Sequence, residues 1–430
     1  MQSVRILGVV AISALYIHFY SPRLAKAERC ANLGAAPVVF VENGDTQEPL
    51  LKRLGFRLIR SANPVRIAYK NRRTCDLASD MLDAPSSTPT IANDALPIRY
   101  IPTPAEQPTW TPSSPAPSCE ADPQGNPLAL AIGATFLSSC GRPDPAADSS
   151  SAIAQYTGPI QAYGFVTARA SSQVAITAEE AYFALGFASA TGQAAPWTDQ
   201  NVRFTRGPTS STALTLAAAI GLRASQLKGT TPPGNSSQEV LSRVNTTPNP
   251  DATLGLLGTE IYDSARSDVK LLAFRGFGQR YAYFPDSTAT SFDKRNVRDG
   301  HYLPWSPTTY LTRVDRQGNP VDVHVQRILR LIFGATHWLH DANSSQQPPS
   351  SDLTNADALV DVIASGLIPT CAMRVTRATE GGPLSRFAPS DPCDCFFEAH
   401  TPGGTQTCAS CNKDSDCATG RCRRNMCEAD

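Results

Sequence analysis

The chain has 430 residues, with 38 basic and 38 acidic side chains and twelve cysteines. Its first 27 residues hold Arg5, Arg23 and Lys26 and no acid, so the remainder carries 35 basic against 38 acidic residues. That balance excludes a broad basic face for nucleic acid, and the cysteine content points to an oxidising compartment.

Met1 to Arg5 is a short basic start, Ile6 to Tyr20 is apolar, and Ala25-Lys26-Ala27 is a small-x-small cleavage site. Together they read as a secretory signal peptide cut after Ala27, giving a periplasmic or secreted protein. The apolar run is short for a membrane span, with an uncleaved anchor as the alternative. Arg29 directly before Cys30 does not suit a lipoprotein signal.

Val38–Val41 reads as a strand, Glu42–Thr46 as a turn, and Leu50, Leu51 and Leu54 as a helix ending near Gly55. Val65–Tyr69 is the next strand, followed by Arg73-Thr74-Cys75-Asp76 and a short helix through Met81-Leu82. This strand–helix alternation predicts an α/β domain with a parallel sheet. Residues 97–118 hold seven prolines and read as an irregular loop. Leu128–Phe136 is a further buried strand, bracketed by Cys119 and Cys140 as candidate partners.

A second α/β unit begins at Ile160–Val166. Capping boxes at Thr177–Glu180 and Ser236–Glu239 open two of its helices. Between them, Arg206-Gly207-Pro208-Thr209-Ser210-Ser211-Thr212 runs into the apolar helix Ala213–Ile220. A helix start has unpaired N–H groups and the positive end of the macrodipole, so an arginine and hydroxyls there suit an anion. Taken alone, the same string also reads as a Ser/Thr N-cap beside a surface arginine. Leu254–Leu257 and Val269–Phe274 read as strands, and Val323–Phe333 and Ala356–Ser365 as helices, the last stopped by Gly366.

Seven cysteines lie from Cys393 to Cys427, an odd number, so full pairing takes a bridge out of this tail, with Cys371 as candidate. Cys408-x-x-Cys411 has neither a second Cys-x-x-Cys nor a following histidine, so disulfides outrank zinc.

Several stretches resemble the periplasmic phosphate-binding proteins of ABC transporters. They are Gly164–Ser172, Pro196–Asp199, Arg206–Thr212, and Phe284–Ser287 through Asn296-Val297-Arg298-Asp299-Gly300-His301-Tyr302, the last a signature of a divergent bacterial branch. The likeness spans roughly residues 35 to 340 and leaves out the tail. It implies two α/β lobes joined by a two-strand hinge, with a disulfide-rich tail added. Lobe I would be 28–164 with 308–390, lobe II 165–307, and the tail 391–430. The chain would cross near Ala162–Val166 and Tyr302–Tyr310.

The resemblance further implies an oxyanion cleft. Its first loop falls on Gly44-Asp45-Thr46-Gln47, its second on Thr74-Cys75, and its third on Arg206 with Ser210, Ser211 and Thr212, where Ser211 replaces the usual glycine. In Ile132-Gly133-Ala134-Thr135, threonine stands where the family places an aspartate that accepts from a protonated phosphate oxygen. The ligand expected is inorganic phosphate or another oxyanion, the partner an ABC permease, and the state monomeric, with no cofactor or metal and no enzyme activity.

The plainer readings stand beside these. Asp45 and Thr46 are each good N-caps, and Thr74 is a good turn residue. His301, near Arg298 and Asp299, reads as a hinge or salt-bridge residue rather than a base. His337 and His340, with Trp338, read as a helix end that packs or faces solvent rather than binding metal. A second functional class is a secreted interaction protein that keeps the fold with an altered or empty cleft, and a third, lacking clustered metal ligands, is a phosphoryl hydrolase.

Overall fold

The computed structural model describes residues 28–83, 88–92, 94–145, 152–187, 194–334, 352–404, 408–418 and 420–429. The signal segment and His337, Trp338 and His340 lie outside them. In the first lobe, β1 (Val38–Asn43), α1 (Glu48–Leu58), β2 (Arg66–Asn71) and α2 (Thr74–Leu82) alternate as expected. After them come β3 (Ile98–Tyr100), β4 (Ser118–Cys119) and β5 (Leu130–Gly133). β1 lies between β2 and β5, parallel to both, with Val41 opposite Tyr69 and Leu130. Helix α1 runs three residues past Gly55 because that glycine lies against Ile101: a Cβ there would sit 2.6 Å from Ile101 Cγ1. The close approach needs glycine and tolerates it inside a helix.

β6 (Ile153–Ala168) joins the two halves. The second lobe adds β7 (Ala175–Thr177), α3 (Ala178–Gly186), β8 (Arg203–Phe204), α4 (Ser211–Ala219), α5 (Ser237–Asn245), β9 (Leu254–Gly258) and α6 (Thr259–Ser264). Then follow β10 (Val269–Leu271), β11 (Ala273–Arg275) and α7 (Arg295–Arg298). The single strand expected at 269–274 is two strands. β10 pairs antiparallel with β6 and β11 parallel with β7, so the chain changes sheets at Leu272.

The return strand β12 (Trp305–Arg313) pairs antiparallel with β6 over Ile153–Ala162, while Tyr163–Val166 of the same strand pairs with β9. One strand thus serves both lobes. The second crossing is fixed beside it, where Tyr163 N–H donates to Pro304 O at 2.9 Å and Tyr302 OH donates to Tyr163 O.

α8 (Val323–Phe333) and α9 (Asn355–Ala364) close one face of the first sheet with α1, burying Leu50, Leu54, Ile328, Leu329 and Val362 together. Beyond them come a hairpin, β13 (Val375–Thr376) and β14 (Ser385–Arg386), then α10 (Asp394–His400) and a second hairpin, β15 (Arg421–Arg423) and β16 (Met426–Glu428). Phe396, Phe397 and Met426 of this tail share one buried cluster with Phe165, Leu256, Phe274 and Trp305. Arg298, 1 % exposed, donates to Ala372 O at 3.0 Å and ion-pairs with Asp394 and Glu398. The 296–302 signature therefore anchors the tail.

All twelve cysteines pair. The bridges are Cys30–Cys119, Cys75–Cys140, Cys371–Cys393, Cys395–Cys408, Cys411–Cys422 and Cys417–Cys427. Cys371 is the partner outside the tail, as the odd count requires. The Cys119–Cys140 pairing is corrected: Cys119 on β4 reaches Cys30, just ahead of β1, and Cys140 reaches the first turn of α2. Six disulfides mark an exported protein. No helix among the described residues is long and apolar enough to cross a membrane.

Candidate functional site

The loops after β1, β2, β5 and β8 all lie beyond the carboxyl ends of strands, where open parallel sheets bind ligands. Gly44 leaves β1 with its N–H donating to Ile132 O at 3.0 Å, which holds this loop to the end of β5. A Cβ on Gly44 would lie 3.5 Å from Thr46 Oγ1 and 3.8 Å from Thr74 Oγ1, so the two hydroxyls flank one glycine. Gly133 is as close on the other side, its Cβ position 2.7 Å from Thr74 Cγ2. The first turn of α2 meets the third loop through Cys75 N–H to Thr209 O at 3.1 Å.

Thr46, Thr74 and Thr212 are buried, and none of their hydroxyls has a hydrogen-bond partner among the described residues. Ser211 directs its hydroxyl toward Tyr163 OH, which donates to Ala134 O at 2.8 Å. Ser210 is spent differently: it donates to Gly207 O at 2.8 Å and accepts from Ala213 N–H at 3.3 Å, so it caps α4. Gln47 donates to Gln161 on β6 at 3.1 Å. Thr135 donates at 2.6 Å to Glu380, far along the chain.

Arg206 is 5 % exposed and joins the lobes. Its guanidinium lies 3.2 Å from Asp45 Oδ2 and also holds Ser237 Oγ and Asn235 Oδ1. The Asp45 carboxylate in turn accepts from Ser237 N–H at 2.7 Å, at the start of α5. Burial pushes the Asp45 carboxyl up, but Arg206 and the Ser237 N–H outweigh it and hold the group below its ordinary value.

Sequence reasoning missed three participants. Gln161 lies on the hinge strand, and Glu260 in the first turn of α6 accepts its amide hydrogen bond. Burial raises the Glu260 carboxyl well above its usual range, and the nearby Asp45 charge adds to this. Its position just past β9 was the available signal, since that is a strand's carboxyl end. Glu380 lies outside the stretches that carry the resemblance.

A cavity of about 760 Å³ opens between the lobes beside this cluster and shares Asp45, Ser237 and Glu260 with it. Lys52, Arg99 and Lys294 are among its other walls, while Thr46, Thr74 and Thr212 do not line it. His301 stacks on Tyr283 with ring centroids 5.1 Å apart, and Asp299 pairs with Arg374 at 2.7 Å. Cys411, Cys417 and Cys427 form the one compact His/Cys/Asp/Glu group among the described residues, and each is in a disulfide.

Scans against sequence families and against curated proteins find no match. Among solved structures, the chain is similar to an ABC-type phosphate transport receptor from Vibrio cholerae, at 11% identity and TM-score 0.43, over 77% of this chain and 99% of that one. It is also similar to a phosphate-binding protein from Stenotrophomonas maltophilia, at 13% identity and TM-score 0.41, over 78% and 91%. A third is the regulatory domain of CcmR from Synechocystis in complex with 2-PG, at 10% identity and TM-score 0.37, over 70% and 99%. At such identities the ligand is decided by this chain's own residues.

Proposed function

We propose that this exported two-lobed protein is a divergent member of the phosphate-binding family and captures phosphate or a related oxyanion in the cleft between its lobes, for delivery to an ABC permease. The observation that carries this reading is a set of buried hydroxyls without hydrogen-bond partners among the described residues: Thr46 and Thr74, which flank Gly44, and Thr212 in the first turn of α4, with Arg206 held on Asp45 next to Thr46. Leaving a buried hydroxyl unpaired costs about 1–3 kcal/mol, so such a set calls for an acceptor. A tetrahedral oxyanion supplies several acceptors at once, and the first turn of α4 adds N–H groups and dipole. Binding works by lobe closure: β6 and the 302–305 crossing act as hinge, and the anion draws together hydroxyls from both sides. No bond need be made or broken.

One observation favours the second reading, a secreted interaction protein with an altered cleft. Asp45 already places a carboxylate on Arg206 and on the α5 N-terminus, the kind of contact an anion would make. Titration calorimetry with phosphate, arsenate and sulfate decides between the two. Transport-type binding predicts phosphate affinity near about a micromolar. Arg206→Ala is expected to weaken it at least about 30-fold, because a charged hydrogen bond is lost. Thr74→Val should weaken it about five- to tenfold with little change in melting temperature. Flat titrations of the folded wild-type protein with all three anions would establish the interaction reading instead.

A further inference from the structure

The 375–386 hairpin, beyond the region of family likeness, packs between the start of β12 and helix α4. Its base is closed by Cys371–Cys393. Its strands lie against the 296–302 turn, where a Cβ on Gly300 would fall 2.9 Å from Leu384 Cδ1 and 3.0 Å from Val375 Cγ1. Arg377 lays its guanidinium 4.0 Å from the centre of the Trp305 ring and donates to Leu303 O at 3.0 Å. Gly381 has φ +64 and sits on α4, its Cβ position 3.2 Å from Ala218 Cβ. Only a glycine adopts that conformation so close to a helix without strain. These contacts leave Glu380 at the tip, turned inward.

Both of the hydrogen bonds to Glu380 go to one oxygen. Thr135 donates to Oε2 at 2.6 Å and Ser306 to the same atom at 2.8 Å. Oε1 is buried and makes no well-formed hydrogen bond, with the Thr215 hydroxyl on α4 facing the carboxyl. The field of Glu380 reaches Tyr163, the residue toward which Ser211 points. Glu380 therefore lies on the wall shared by β5, α4 and β12, next to the threonine that occupies the place of an acid.

We propose that Glu380 is the acidic binding residue of the cleft, its Oε1 accepting a hydrogen bond from a protonated oxyanion and so selecting phosphate over sulfate. The proposal rests on the oxyanion reading given above. Monohydrogen phosphate keeps a proton at neutral pH and can donate it to a carboxylate. Sulfate has none, so the carboxylate and the anion would face each other as two acceptors. Thr135 and Ser306 are positioning residues: by occupying Oε2 they aim Oε1. The charged group facing Glu380 is Arg377 on its own hairpin, and Tyr163 on β6 feels the charge of Glu380 together with those of Asp45 and Glu260. Burial raises the Glu380 carboxyl above its ordinary value, partly offset by Thr135, Ser306 and Arg377.

A purely structural role, in which Glu380 pins the hairpin to β5 and β12, would leave anion preference unmoved. The test is titration of the full chain with phosphate and with sulfate at neutral pH, with melting curves as a folding control. Wild type is expected to prefer phosphate by at least about 100-fold. In Glu380→Gln the amide donates instead of accepting, and the ratio should fall below about tenfold, with sulfate gained as well as phosphate lost. Adding Thr135→Asp to that variant should restore the preference. An unchanged ratio in folded Glu380→Gln overturns the assignment of Glu380 while leaving oxyanion binding intact. Should that variant fail to fold, Thr135→Val releases Oε2 and is expected to lower the ratio at least about fivefold, and no change there overturns it equally. A folded wild type that binds neither anion removes the oxyanion reading and this one with it.

Discussion

Glu42 shows how one buried group makes stability depend on pH. It lies on β1 with no exposed surface, accepts from Ala92 N–H at 2.9 Å, and faces Asp80 and Arg72. Burial, with Asp80 adding, pushes its carboxyl from 4.5 up to about 8. The native state therefore holds a proton that the unfolded chain has released. The stabilisation is full below pH 4.5 and is lost as pH rises through about 8. Glu42→Gln stays neutral and can donate toward Asp80, so it should match the wild type at the acid end of that window. At the alkaline end it should be more stable by about 1–3 kcal/mol, read as a melting temperature several degrees higher. Parallel pH profiles for the two proteins would refute this. Thr46 and Thr74 were expected from the family resemblance and Arg206 from its place ahead of an apolar helix; all three are buried. The capping use of Ser210 was legible as one of two readings, and its geometry assigns the hydroxyl to the α4 cap.

At the scale of elements, β6 and β12 carry the molecule. Gly158 faces β12 where the register shifts between Pro307 and Thr309. A Cβ there would lie 2.4 Å from Tyr310 Cε2 and 2.7 Å from Thr308 Oγ1, both on a buried strand that cannot withdraw. Gly158→Ala should therefore destabilise by about 1–3 kcal/mol through overpacking, a drop of several degrees in melting temperature. A melting temperature equal to wild type would mean that the hinge strands part more easily than their packing suggests. Hydrophobic runs and capping boxes made the alternation of strands and helices readable. They did not reveal that β6 extends to Ile153, because Gln155, Thr157 and Gly158 interrupt its apolar pattern. Nor could they divide residues 269–274 between two sheets, since strand partners are set by tertiary contact rather than by local sequence.

For the whole molecule, the tail is part of the fold rather than an appendage. Phe396, Phe397 and Met426 complete a core shared with the second lobe, and Asp394 and Glu398 neutralise buried Arg298. Ending the chain after residue 390 would expose that core and take both carboxylates from Arg298. The shortened protein should aggregate or lose its cooperative melt; an unchanged midpoint would instead mark the tail as a separate module. The odd cysteine count pointed to the bridge from Cys371 into the tail, but not to the shared core, because cysteine spacing says nothing of which apolar side chains pack together. At one end of the fold Cys30 is tied to Cys119 in the first lobe; at the other, Glu428 accepts from the N–H groups of Cys395 and Phe396. The cysteine-rich cap touches both halves, α10 packing against α9 of the first and against Arg298 of the second. Under the proposed hinge motion it would be a brace across the two lobes, setting how far they can part.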